Sequence, residues 1–349
     1  MLRRLIILLV SICLSTIAAF GQITVDVGEA NFDTNYIESY ANDLVVRVFT
    51  SKKYTQTGII DSEIQKSLVY HPNDRTNLGF GFNYKWIGLN LGFNFGFVND
   101  DDDVYGNSKY WDFQTQFYLR KFVIDLYIQH YTGFYLSNSS EVFENWPDDG
   151  SFYKRGDIKS YIGGVNVQYI FNYRKFSYRA AYLQNERQKK SAGSWTLGGV
   201  AYLSGSSGDS SFIPANIQYP DFFAGNQFNK SSSINFGFNG GYGHNFIIKS
   251  NFFFTVSFVA GLSLGGSSIH MIDSISETAS GLAVDFTATG RIAFGYNSRR
   301  FYIGFSYVNL YIRSNSPVER MWHMYDAGKI RFNIAYRFSL RKNLGILNL

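Results

Sequence analysis

Residues 87–97 read Ile87-Gly88-Leu89-Asn90-Leu91-Gly92-Phe93-Asn94-Phe95-Gly96-Phe97. Every odd position is large and apolar, and every even position is Gly or Asn. Successive side chains of a β-strand point to opposite faces, so this stretch predicts a strand with one greasy and one small, polar face. The same rhythm holds just upstream, where Leu78, Phe80, Phe82 and Tyr84 alternate with Gly79, Gly81, Asn83 and Lys85. It returns downstream in Ile234, Phe236 and Phe238, in Leu282, Val284 and Phe286, and in Ile330, Phe332, Ile334, Tyr336 and Phe338.

A soluble sandwich alternates too, and three features separate the two cases. The predicted strands run to ten residues or more, whereas strands of soluble proteins average about five or six and a tilted membrane strand needs about 9–11. The apolar face is uniform, while the other is Gly, Asn, Ser, Thr and scattered charge, which suits lipid outside and a polar lumen inside. Connections alternate in length as well. Tight turns at Tyr84-Lys85-Trp86, Arg120-Lys121, Tyr173-Arg174-Lys175, Lys249-Ser250-Asn251 and Ser298-Arg299-Arg300 contrast with long polar loops at 99–109, 137–157, 267–280 and 314–328. The expected fold is all-β: a transmembrane antiparallel β-barrel of about 12 strands, with a range of about 10–14. Its spans are 78–85, 87–97, 110–120, 122–136, 158–171, 176–186, 194–204, 233–247, 252–265, 281–296, 301–313 and 329–338. The stretch Gly205–Ser232, with Pro214 and Pro220, is long where strict alternation demands a short turn.

Composition agrees. Aromatic residues reach 18% and charged residues only 17%, below the ~25% charge of ordinary soluble domains. Proline numbers five against 33 glycines. At the N-terminus, Arg3 and Arg4 precede the apolar run Leu5–Ala19, and Ala19-Phe20-Gly21 gives a small-x-small cleavage pattern. Residues 1–21 therefore read as an export signal peptide, with Gln22 the first mature residue. The sole cysteine, Cys13, falls inside it, so no disulfide or thiolate site is expected in the mature chain. The formal charge is +5, and removing Arg3 and Arg4 leaves about +3. No basic cluster interleaved with aromatics appears, so no nucleic-acid partner is expected. Residues 22–77 read as periplasmic, as a plug or as the first barrel strands; 78–338 form the barrel and 339–349 a C-terminal tail.

Candidate sites are few. Asp112, Arg120, Asp125, Arg179, Asp285, Arg291, Arg331 and Arg337 fall on the small-residue faces and are expected to point into the lumen, pairing and filling it rather than lining an open channel. The run Asp100, Asp101, Asp102 and Asp103 offers oxygens to a divalent ion, but its spacing matches no calcium loop and favours a solvated acidic loop. His130-Tyr131-Thr132 places a hydroxyl two residues from an imidazole, the nearest approach to a hydrolytic pair; an isolated rim histidine reads better. No catalytic set, metal motif, phosphate-cradling loop or cofactor fingerprint emerges.

The order of Phe32-Asp33-Thr34-Asn35-Tyr36-Ile37, Leu68-Val69-Tyr70-His71-Pro72-Asn73, Leu78-Gly79-Phe80-Gly81-Phe82-Asn83-Tyr84-Lys85, Ser191-Ala192-Gly193-Ser194 and Gly240-Gly241-Tyr242 resembles an outer-membrane barrel family of Bacteroidetes-type bacteria, described as a domain of unknown function. That resemblance spans nearly the whole mature chain and implies a Gram-negative outer-membrane barrel, with no catalytic residues to carry over. The final alternating aromatics, closing on Phe338, also resemble the C-terminal signal read by the barrel-assembly machinery, although eleven residues follow. The expected partners are outer-membrane lipid, lipopolysaccharide, that machinery and an unknown periplasmic or surface partner. The leading functional reading is a non-enzymatic structural or binding barrel, or a small passive pore. The alternatives are a lipid-modifying hydrolase or acyltransferase, and a surface-attachment or partner-docking barrel.

Overall fold

The computed structural model describes residues 31–84, 87–95, 99–272 and 278–340. The export signal and most of the C-terminal tail lie outside the described residues; Ser339 still belongs to the last strand. In chain order the strands are β1 (Ile37–Ser39), β2 (Asp43–Asp61), β3 (Lys66–His71), β4 (Thr76–Tyr84), β5 (Ile87–Asn94), β6 (Lys109–Tyr118), β7 (Phe122–Leu136), β8 (Tyr153–Ile170), β9 (Glu186–Gln188), β10 (Ala192–Ser207), β11 (Phe228–Ile248), β12 (Phe252–Met271), β13 (Thr278–Asn297), β14 (Phe301–Asn315) and β15 (Met321–Ser339). Short helical turns α1 (Asp102–Tyr105), α2 (Ser139–Val142) and α3 (Tyr178–Tyr182) interrupt them, with a 3-10 turn at Phe222–Gly225.

The wall closes because β15 pairs along its whole length with β2, from Met321 opposite Asp61 to Ser339 opposite Asp43. The ring that results is β2, β3, β7, β8 and β10 to β15, ten antiparallel strands. Below β3 the wall is built differently. β3 and β4 follow one another down the same edge of β2, β3 pairing with Thr57–Asp61 and β4 with Val45–Lys52. The break falls at residues 72–75, where Pro72 cannot donate to a ladder. β5 pairs with β4 and β6 with β7, so one half of the barrel carries twelve strands and the other ten. No ladder joins β5 to β6 among the described residues.

The outer surface explains why the alternation is so regular. On β12, Phe252, Phe254, Val256, Phe258, Leu262 and Leu264 are all exposed, while the intervening Phe253, Thr255, Ser257 and Ser263 are buried. Leu282 is 87% exposed and Phe238 81%. A wall of large apolar side chains facing outward is stable against lipid and unstable against water. Aromatic contacts such as Phe301–Tyr336, Phe252–Tyr296 and Trp195–Tyr242 gather towards the end with short turns, as an interfacial girdle would. Strands of up to 21 residues run past this belt and carry the wall beyond it at the loop end.

The set of predicted spans needs two corrections. Residues 176–186 are not a strand. They leave the wall, turn through α3 and enter the barrel, because Ala180-Ala181 breaks the alternation and Ser177 caps a helical turn by accepting from Ala180 N at 3.2 Å. The twelve spans also omit β2: Leu44–Thr50 alternates and reads as a strand, but its upper half, Ser51–Thr57, is polar on both faces and hides the period. The exchange keeps the count even. It also moves Gly205–Ser232 to the loop end, where β10 and β11 continue to Ser207 and from Phe228, leaving 208–227 as an ordinary long loop.

If closure runs through β2 and β15, the outward-facing register partners Val48 and Ile334 sit within disulfide reach. The double variant Val48→Cys/Ile334→Cys, oxidised in the folded state and then denatured, is expected to migrate faster without reductant than with it. Identical mobility would place the two strands apart.

Candidate functional site

The lumen is the candidate site, and it is filled at three levels. At the short-turn end, residues 172–191 form a plug. Phe176, Tyr178, Ala180, Ala181, Gln184 and Glu186 are buried in it. The wall holds the plug from many sides. Tyr302 Oη donates to Ala181 O at 2.7 Å, Asn83 Nδ2 to Leu183 O at 2.8 Å and Arg337 Nε to Gln184 O at 2.8 Å. Asn245 Nδ2 donates to Ser177 O at 2.9 Å, and Asn297 Nδ2 reaches Ala180 O and Glu186 O, each at 3.1 Å. The strand β9 within this segment pairs with β1, tying the N-terminal region to the same mouth.

Glu186 anchors the plug electrostatically. Its carboxylate accepts from Arg120, pairs with Arg179 at 3.2 Å and accepts from Ser177 Oγ at 2.5 Å. An ionised carboxylate this deep needs such partners, since burying it alone costs several kcal/mol. Beside the plug lies a cavity of about 10 Å³ lined by Ala180, Asn245, Thr255 and Asn297. That is room for about one water molecule.

Above the plug, Asp125 of β7 and Arg291 of β13 meet across the barrel as an ion pair, both fully buried. Asn166 Nδ2 donates to Asp125 Oδ2 at 3.1 Å, Asn239 Nδ2 donates to Asn166 Oδ1 at 2.8 Å, and Tyr178 of the plug lies 5.9 Å from the Arg291 guanidinium. Higher still, Asp112 accepts from Tyr131 Oη at 2.5 Å, from Gln129 Nε2 at 3.0 Å and from Lys53 Nζ at 3.2 Å.

The loop end is capped. Phe212, Ile213, Phe222, Phe223 and Phe228 pack against Tyr70 and Met321 in one apolar cluster. Tyr70 Oη donates to Phe212 O at 2.5 Å, Phe223 N to Asp61 Oδ2 at 2.9 Å, and Arg320 bridges Asp61 and Asp221 at 3.1 and 3.4 Å. A bidentate bond from Arg155, at 2.8 Å to each oxygen, holds the Asp157 carboxyl down at about 2, against a smaller opposing effect of burial. In the same cap, beyond the apolar belt, burial pushes the His323 imidazole down to about 4 and keeps it neutral.

All eight charges assigned to the inner faces can now be placed. Asp112, Asp125 and Arg291 occupy the lumen as described, and Arg120 sits at the β6–β7 turn against Glu186. Arg179 is inside as well, but on α3 of the plug rather than on a strand. Asp285 is fully buried opposite Ser314. Arg331 lies over the Phe49 ring at 3.7 Å, and Arg337 locks the plug to Asn297 Oδ1 at 2.8 Å. The acidic run is tied down locally. Asn73 Nδ2 donates to Asp101 and Asp102 at 2.9 Å each, and no metal-competent group of carboxylates forms among the described residues. His130 and Thr132 do meet, at 3.4 Å, but on the outer face of β7. Glu186, Arg47, Lys53 and Lys329 are inner charges that reading the sequence missed. For Lys329 a signal existed, since it lies two residues from Arg331 on the same face.

The family model described as "Domain of unknown function (DUF4421)" matches residues 31–338, and the chain belongs to that family. No curated protein matches the sequence. Among solved structures, the chain is similar to the outer membrane protease OmpT from Escherichia coli, at 7% identity and a TM-score of 0.38, covering 86% of this chain and 98% of that one. It is also similar to the translocator domain of the autotransporter NalP from Neisseria meningitidis, at 7% identity and a TM-score of 0.27, covering 84% and 88%. A FadL homologue from Pseudomonas aeruginosa follows at 6% identity and 0.23, covering 85% and 92%.

Removing one member of a buried pair leaves the other uncompensated. Arg291→Met is therefore expected to lower stability by about 3–5 kcal/mol, and Asp125→Asn/Arg291→Met together by much less. Urea unfolding in detergent checks this, and a double-variant loss equal to the sum of the Asp125→Asn and Arg291→Met losses would show that the two residues do not interact.

Proposed function

We propose that this protein is a closed outer-membrane barrel whose work is structural or binding, with neither free diffusion nor catalysis as its role. The plug carries this reading. A segment of the chain itself fills the short-turn mouth, bonded to β4, β11, β13, β14 and β15, with Glu186 between two arginines. Passive pores keep a water-filled lumen, whereas a plugged barrel excludes solute. The charged layer at Asp125–Arg291 and the apolar cap at Phe212–Phe228 add two further barriers in series. The lipid-facing belt and the export signal expected at residues 1–21 support an outer-membrane location. Assembly by the barrel-assembly machinery, with lipid and lipopolysaccharide around the wall, follows from that location.

Purified protein reconstituted in a planar bilayer is expected to be electrically silent. Replacing residues 176–188 with a Gly-Ser linker of equal length leaves the Asp125–Arg291 layer in place but removes the mouth's filling, and is expected to produce intermittent conductance. Steady open steps from the unmodified protein would overturn the reading.

A further inference from the structure

Besides Arg337, which is bonded to the plug, the inner faces of β2 and β15 carry four cations: Arg47, and in adjoining positions Lys53, Lys329 and Arg331. The register sets Lys329 directly opposite Lys53, a like-charge juxtaposition that destabilises a sheet unless something neutralises it. Lys53 has Asp112 at 3.2 Å. The other three have only neutral acceptors. Lys329 Nζ donates to Gln116 Oε1 at 3.2 Å, Arg331 Nη2 to Asn90 Oδ1 at 3.0 Å, and Arg47 Nη1 to Gln184 Oε1 at 2.7 Å. None of these three makes an ion pair among the described residues. Arg47 is 2% exposed, yet its Nε and Nη2 lack an acceptor, as does Arg331 Nε. Elsewhere in the same lumen, Arg120, Arg179 and Arg291 each meet a carboxylate. The row thus holds an excess of positive charge that the chain itself does not balance, and a buried cation is costly without an anion.

The row also lies beside the thinnest part of the wall. Arg331 reaches Asn90 of β5, and residues Asn90 to Phe95 are exposed on both faces of that strand. β5 pairs on one side with β4, and no ladder joins it to β6 among the described residues. On its outer face Leu91 and Phe93 stand exposed to the hydrocarbon.

We propose that Arg331 and Lys329 bind the anionic head group of a single-chain membrane amphiphile, a carboxylate or phosphate. The head enters between β5 and β6, and the acyl chain lies outside along Leu91 and Phe93. Arginine offers paired donors to such a group, and lysine adds a point charge. This deepens the binding reading above and rests on it. The two fail separately, because an open conductance would contradict closure while leaving head-group binding measurable.

The test uses the full chain, delipidated in a neutral detergent, with a fluorescent polyene fatty acid as probe. One probe per chain is expected to bind the natural protein. Lys329→Met/Arg331→Gln is expected to weaken binding at least about tenfold, roughly 1.4 kcal/mol. Should that variant fail to fold, Gln116→Glu gives an independent answer. It sets a carboxylate beside Lys329, so it should preserve folding and still weaken the probe. Equal binding by both folded variants, or equal binding of the matching fatty alcohol, overturns the proposal. Displacement of the probe by an equal concentration of inorganic phosphate would assign the row to a free anion and overturn the lipid source.

Discussion

A wall that faces hydrocarbon needs partners for its backbone N–H and C=O groups, and the ladder between β2 and β15 supplies them where the two ends of the ten-strand ring meet. Once the ends of the sheet are joined, every side chain has only two places to go. The lipid face accepts Phe, Leu, Ile and Val. Whatever is polar must turn inward, so Asn166, Asn239, Asp125 and Arg291 converge in the lumen. Inside a narrow barrel those groups are close enough to bond to one another, and an ion pair and two hydrogen bonds link these four residues across it.

The plug extends the same logic. A segment that enters a low-dielectric space must bring partners for its own backbone or find them on the wall. Residues 176–188 find them: Asn83, Asn245, Asn297, Tyr302 and Arg337 each donate to a plug carbonyl. Five wall donors from five separate strands fix one small segment, and truncating any one would strand a buried acceptor. Lys329 and Arg331 have no carboxylate partner among the described residues, and they reach β6 and β5 where the wall is least continuous.

How much of this was legible in the sequence depended on the range of the forces involved. The period of two is set by each strand's own neighbours, so β5, β12, β13 and β15 could be read directly from alternation. β2 was half visible, since Leu44–Thr50 alternates but Ser51–Thr57 is polar on both sides. The plug was misread because Phe176-Ser177-Tyr178-Arg179 imitates a strand for four residues before Ala180-Ala181 ends the imitation. Which way Asp125 and Arg291 point follows from local alternation, but that they meet depends on closure, which brings together residues 166 apart in sequence. Glu186 went unnoticed for the same reason: its arginines come from the β6–β7 turn and from α3.

The central claim is that the lumen is closed by an ordered, wall-bonded plug. Amide hydrogen exchange of the folded protein in detergent, followed peptide by peptide, tests it most directly. The account predicts that peptides covering Phe176–Gln188 exchange as slowly as the β11–β12 ladder, because both require the barrel to open. Exchange of those amides at the rate of an exposed loop, with the strands still protected, would contradict it.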